Sequence, residues 1–96
     1  MQIAKVVGAA ISTVKDARLQ DSKLLLVIEV DQTGKELGKP FIALDLVGAG
    51  DDELVIIVQG SSARAAAGDL NTPVDAAIAG ILDSLRYKHK LTYRKR

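Results

Sequence analysis

The sequence predicts a mainly β domain, a small barrel or sandwich, on three observations. Its first 60 residues hold four short runs rich in Val, Ile and Leu, and Gly- and Asp-containing breaks separate them. Nothing between these runs is long and periodic enough to be the crossover helix that a parallel sheet needs. The chain has 96 residues, the length of one domain, because cores divide only beyond ~250 residues.

Taken in order, the first strand is Gln2–Val14, rich in Ile and Val with Ala and Gly inserted. Lys23–Val30 is a dense aliphatic run whose only acid is Glu29. In Pro40–Val47, Phe41, Ala43 and Asp45 oppose Ile42, Leu44 and Leu46, the alternation of a half-buried strand. Leu54–Val58 is a short buried strand. Asp31-Gln32-Thr33-Gly34 supplies hairpin chemistry, with Gly where the loop needs a left-handed residue. Gly38-Lys39-Pro40 and Gly48-Ala49-Gly50-Asp51-Asp52 are the other two breaks. The character then changes. Ser61–Gly68 reads as a short helix, with a serine cap, alanine filling and a terminal glycine. Thr72-Pro73-Val74-Asp75 reads as a second helix start, Thr as cap and Pro in the first turn. Val74, Ala77, Ile78, Ile81, Leu82 and Leu85 then fit a helical apolar stripe, although Ala77–Leu85 fits a buried strand equally. Gly80 weakens the helical alternative by ~1 kcal/mol relative to Ala.

Composition excludes several classes of function. The residues are 48% hydrophobic and 26% charged, a globular mixture. The sequence contains no cysteine, so disulfides, thiolate metal sites and thiol catalysis are ruled out, and a single histidine, His89, rules out a His-rich metal cluster. The longest apolar runs, Leu24–Ile28 and Leu54–Val58, fall far short of the ~20 residues of a membrane span. Met1–Lys5 lacks the charged and apolar regions of a signal peptide, so a cytoplasmic location is expected. Folding at this size buries only roughly 60–65% of the unfolded surface, which makes a partner subunit valuable.

The net charge of +1 conceals an asymmetry. Residues 86–96 hold six basic groups and no acid, leaving seven basic groups against all 12 acids in residues 1–85. An acidic body therefore carries a basic tail. Aromatic rings are confined to Phe41, Tyr87 and Tyr93, a poor supply for stacking bases.

Each candidate for chemistry has a simpler structural reading beside it. Gly48-Ala49-Gly50 follows a strand, as a phosphate-binding turn does, but Glu53 stands where the dinucleotide fingerprint needs its third glycine. A structural turn is favoured. Gly60-Ser61-Ser62 lies between strand and helix, where free N–H groups can hold an anion, but it lacks the P-loop lysine, and a helix cap accounts for it. Asp51-Asp52-Glu53 are consecutive and splay apart, favouring a solvated turn over a cation site. Nothing in the sequence brings any two of Asp45, Asp75 and Asp83 together as a carboxylate pair, and Ser61 or Ser62 as a nucleophile would depend on His89 in the charged tail. The tail itself fits phosphate binding. With Tyr87, His89, Leu91 and Tyr93 in one register, it fits better as a strand added to another chain's edge.

Several of these segments together resemble a known family. Met1-Gln2-Ile3-Ala4-Lys5-Val6 with Gly8, Ser12-Thr13, and Lys23-Leu24-Leu25-Leu26-Val27 begin the match. Asp45-Leu46-Val47-Gly48-Ala49-Gly50, Glu53-Leu54-Val55 and Gly60-Ser61-Ser62-Ala63-Arg64 continue it. Pro73-Val74-Asp75-Ala76-Ala77-Ile78, Gly80-Ile81 and Asp83 close it. In this order, across residues 1–85, they resemble the EutN/CcmL family, the pentameric vertex proteins of bacterial microcompartment shells. The family usually has glycine where this chain has Asp52. The tail from Arg86 resembles the extended C-terminus of the carboxysomal members, whereas metabolosome members often stop near Leu85.

The resemblance implies an OB-like five-stranded β-barrel with one or two short helices, assembled as a cyclic homopentamer. It places Ala77–Leu85 in a barrel strand after a helical turn at Pro73. It divides the chain into a vertex domain, 1–85, and a basic tail, 86–96. It implies a structural shell protein rather than an enzyme, with no cofactor and no metal. The expected partners are further copies of the chain and the hexameric and trimeric shell proteins, without nucleic acid or membrane, in a microcompartment shell in the cytoplasm. Subunit or shell contacts are expected at Gly48, Ala49, Gly50, Glu53, Ser61, Ser62, Arg64, Leu91 and Tyr93, with Arg64 meeting an acid such as Glu53. The alternative is an OB-type nucleic-acid-binding module using the basic tail.

Overall fold

The computed structural model describes residues 1–13 and 15–95; Val14, assigned above to the first strand, and Arg96, the end of the basic tail, lie outside them. Five strands close into a barrel: β1 (Gln2–Ala10), β2 (Leu24–Glu29), β3 (Phe41–Asp45), β4 (Leu54–Gln59) and β5 (Ala76–Ile81), in the order β1-β2-β3-β5-β4. Helix α1 (Gly60–Ala66) links β4 to β5. Strands β6 (Ser84–Tyr87) and β7 (Lys90–Arg94) form a separate two-stranded hairpin. The five-stranded barrel and short helix are the expected architecture.

Alternation builds the core. Ala4 and Val6 of β1, Leu25 and Val27 of β2, and Val55 and Ile57 of β4 point inward and are buried, while Ile3, Lys5 and Ile56 face outward. The largest fully buried side chains are Ile57, Ile78, Val6, Val27 and Val55, so aliphatic packing rather than aromatic bulk fills the barrel. Full burial of each contributes roughly 1.5–3 kcal/mol. β1 pairs with β4 over Gln2–Lys5 and with β2 over Ala4–Ala10, and its register with β2 shifts between Val6 and Gly8. Such a bulge bends a strand and lets it serve both neighbours around a tight barrel.

Closure depends on β5, which pairs antiparallel with β4 and parallel with β3. A parallel pair requires a crossover, and β4 with α1 provides it. Ala63 of α1 is fully buried over Leu44 and Ala77, in a second small apolar cluster outside the main core. This explains the ambiguous apolar run. Ala76, Ala77 and Ile78 are all buried because one face of β5 meets the core and the other lies under α1. Burial on both faces hides the period of two, so the run imitates a helix. Gly80 sits opposite Ile56 beside the β4 register shift, where an added Cβ would stand 3.3 Å from Ile56 Cδ1.

Five local expectations are corrected. The barrel strand expected over Ala77–Leu85 ends at Ile81, and Leu85 lies in β6 of the separate hairpin. The helix expected from Pro73 does not form. Thr72 N–H donates to the Asp69 carbonyl and Val74 N–H to that of Thr72, so Pro73 occupies a tight turn leading into β5. The serine cap of α1 is also absent. Gln59 is the N-cap residue and makes no side-chain cap bond, whereas Ser61 and Ser62 lie exposed in the first turn. The helix enters through Gly60 at φ +59 and ends at Gly68 at φ +94, so the terminal glycine performs as expected. The first strand ends at Ala10. Finally, the even register expected for Tyr87, His89, Leu91 and Tyr93 is broken. His89 falls in the hairpin turn, and a register shift lets Tyr93 oppose Leu85 while Leu91 opposes Arg86. Leu91 and Tyr93 therefore project from opposite faces of the hairpin.

Candidate assembly surfaces

The loop from Asp45 to Glu53 is built around two carboxylates. Asp45 ends β3 with its side chain only 1% exposed, and Lys23 Nζ lies 3.9 Å from it. Its Oδ1 accepts from the N–H groups of Val47 and Gly48, each at 3.1 Å, and its Oδ2 accepts from Ala49 at 3.1 Å. An aspartate that turns back on the amides following it is a strong turn former. Gly48 supplies the left-handed residue at φ +77, and Ala49 is buried in the main core, pinning the loop.

Glu53 completes the structure. Its Oε1 accepts from Gly50 N–H at 2.6 Å, and its Oε2 pairs with Lys95 Nζ at 2.8 Å. The Lys95 ammonium and the Gly50 amide together hold the Glu53 carboxyl below its ordinary pKa, and the same pairing raises that of Lys95. The N–H groups of Gly48, Ala49 and Gly50, considered above as a phosphate cradle, are thus occupied by the chain's own side chains.

Asp52 stands at φ +67, a left-handed conformation that costs an L-residue free energy and costs glycine little. This accounts physically for the glycine that the family pattern usually has there, and the loop still closes, since Asp52 N–H donates to the Val6 carbonyl at 2.9 Å. Asp52→Gly is expected to stabilise the protein by about 0.5–1 kcal/mol, less than the conformational cost because glycine also loosens the unfolded chain. Thermal melts of wild type, Asp52→Gly and Asp52→Ala would test it. An alanine variant as stable as the glycine variant would be incompatible with it.

The other singled-out residues are dispersed. Ser61 and Ser62 are exposed on α1, Arg64 is half-buried on the same helix, and His89 is at the hairpin turn. Among the described residues no hydrogen bond joins either serine to His89, and no group of three or more His, Cys, Asp or Glu is placed to hold a metal. Within one copy Arg64 makes no ion pair among the described residues, and Glu53 is taken by Lys95 instead. Leu91 is 55% exposed and Tyr93 half-buried.

Two features went unread in the sequence. The sequence offers Asp45 as a possible member of a carboxylate pair, although an Asp three residues before a Gly already signals a loop-capping side chain. The other is an open groove of roughly 530 Å³ beside the hairpin root, with Ile3, Val30, Ile56, Leu82 and Leu85 among its lining residues. Its members come from four separate stretches of chain, and no local pattern links them.

Comparison with known proteins adds to this picture. The family described as "Ethanolamine utilisation protein EutN/carboxysome" matches residues 1–83. A carboxysome shell vertex protein, CcmL, of Nostoc sp. is 47% identical over 100% of this chain and 96% of its own length. Among solved structures, an ethanolamine utilization protein, EutN, superposes with a TM-score of 0.94 at 36% identity, covering 100% of both chains. The pentameric microcompartment shell protein GrpN from Rhodospirillum rubrum gives 0.83 at 37% identity, covering 91% of this chain and 99% of its own.

Proposed function

This chain belongs to the EutN/CcmL family of bacterial microcompartment shell vertex proteins, and we propose that five copies close into a ring seated at a vertex of a carboxysome-type shell. The observation that carries this is likeness along the whole chain, hairpin included, to a carboxysome shell vertex protein at 47% identity. The solved relative GrpN, described as pentameric, supports the ring. The role is structural, not catalytic. A sheet of hexagonal units cannot close, and units of five-fold symmetry at the vertices supply the missing curvature.

The physics of the protomer agrees with such an assembly. A ring requires a heterologous contact, in which two different flanks of the same molecule fit each other and the rotation closes. Ile42 is 52% exposed on β3, while Ile3 and Ile56 lie partly exposed on β1 and β4, so apolar side chains face outward on well-separated parts of the barrel. The rigid loop presenting Gly48, Gly50 and Glu53, with Ala49 as its internal anchor, is one contact segment. Ser61, Ser62 and Arg64 on α1 form another, directed at a neighbouring copy or at adjoining hexameric and trimeric shell proteins. The partner of Arg64 is an acid of another subunit, because Glu53 is already engaged.

Native mass spectrometry tests the reading. Five times 10.2 kDa gives about 51 kDa for the ring. A persistent monomer would sink it and direct attention to nucleic acid and the basic hairpin. Arg64→Ala is expected to weaken either the ring or its incorporation into co-expressed shells; if both survive unchanged, the Arg64 assignment is wrong.

A further inference from the structure

We infer that Arg18 is a latch: it fastens the turn around the 3-10 helix Ala17–Leu19 to the connection between α1 and β5, closing a lid over a small apolar cleft. The two segments it joins are 53 positions apart. Arg18 Nη1 donates to the Asn71 carbonyl at 3.0 Å, while Nε and Nη2 donate to Asp16 Oδ1 and Oδ2 at 2.9 and 2.8 Å. Such a paired guanidinium and carboxylate fix direction as well as charge, which leaves Nη1 aimed at the carbonyl. Asp16 also caps the 3-10 turn, its Oδ1 accepting from Arg18 N–H at 2.9 Å. The hydrogen bonds from Arg18 hold the Asp16 carboxyl down to about 2, so this brace stays ionised under ordinary conditions. Across the gap, Asp69 shapes the receiving turn. Its Oδ1 accepts from Asn71 N–H at 2.8 Å, its carbonyl accepts from Thr72 N–H at 3.0 Å, and its charge adds to the attraction on Arg18.

The covering turn has little burial to hold it, since none of Ala17, Arg18 and Leu19 is buried. Leu19 lines a cleft of roughly 150 Å³ together with Leu24, Ile42, Leu44, Pro73 and Val74. Leu44 and Val74 also belong to the small apolar cluster that seats Ala63 of α1. An exposed ion pair adds little to folding stability, so the closed position is only modestly favoured, and the lid opens without unfolding the barrel. Opening uncovers Leu44 and frees the receiving turn at the same time. Closure presents the flank around the half-exposed Ile42 as one rigid surface. Arg18 is therefore a positioning residue, and the two connections open and close as a unit.

Arg18→Lys tests the latch, because it keeps the charge and loses the planar fork. Amide exchange on the whole chain is expected to quicken roughly 5-fold at Leu19 and Ser22 and, across the gap, at Thr72 and Val74, with Val27 and Ile57 of the barrel unchanged. Asp16→Asn should reproduce this pattern. Faster exchange at Leu19 and Ser22 alone would mean that Arg18 only braces its own turn, and faster exchange at Val27 and Ile57 as well would mean general loosening; either result overturns the latch. Because the chain has no cysteine, Leu44→Cys gives a second readout. Its labelling by a maleimide is expected to speed up roughly 5-fold when Arg18→Lys is added, and equal rates would overturn the lid. A thermal melt of each variant verifies that the barrel is folded. All comparisons are made at one protomer concentration and none requires five-fold assembly, so failure of the ring leaves the latch standing, and failure of the latch leaves the ring.

Discussion

Asp45→Ala is expected to lower stability by about 2–3 kcal/mol, because it removes a buried acceptor serving three backbone amides. Those N–H groups have no alternative side chain, and Ala49 carries its amide into the edge of the core, where water replaces the lost bonds poorly. Asp45→Asn keeps one oxygen in place and is expected to lose about 1 kcal/mol. Against a net stability of about 5–15 kcal/mol for a domain, the alanine loss is substantial. Denaturant midpoints at matched protomer concentration would measure it, since assembly itself adds stability. Amide exchange should quicken first at Val47, Gly48 and Ala49. If alanine and asparagine variants both unfold with wild type, the carboxylate is not holding the loop.

The second large effect is expected at Ile78. This residue is fully buried and pairs with Asp45 of β3 on one side and Ile57 of β4 on the other, where β5 closes the barrel. Ile78→Ala should cost about 3–4 kcal/mol, and Ile78→Val about 1 kcal/mol, through lost burial and the cavity left behind. The alanine variant should lose the ring as well, because a barrel so weakened populates unfolded chains that cannot assemble. Combined calorimetry and native mass spectrometry would decide the matter. An alanine variant retaining the wild-type melting temperature would mean that the neighbouring side chains collapse into the space, contrary to a close-packed core.

The candidate site was only partly legible. The loop between β3 and β4 announced itself through its glycines and acids, but the sequence could not say that Asp45 and Glu53 consume its amides. Glu53 meets Lys95, 42 positions later, and nothing local predicts that bond. The sequence suggests Arg64 as the cation of a charge-assisted contact to an acid such as Glu53; within one copy Glu53 pairs with Lys95. The sequence of the hairpin reads as an even strand because β-alternation assumes an unbroken register, and a bulge is invisible until two strands are paired. The open groove escaped for the same reason as the Lys95 bond: it is made by distant segments.

Sequence alone determined the first four strands, their principal turns and the family. Alternating aliphatic residues, Gly at left-handed positions and a charge-segregated end are local properties, and each is set within a few bonds of its cause. Asp52 belongs here too, since departure from the usual glycine marked that loop before its φ was known. Tertiary structure decided how β5 lies between β3 and β4, because α1 buries its second face and erases the period that identifies a strand. It alone decided that the basic end is a hairpin standing off the barrel beside an apolar groove. Side-chain pattern specifies which face of an element is apolar; only closure of the barrel specifies what that face meets.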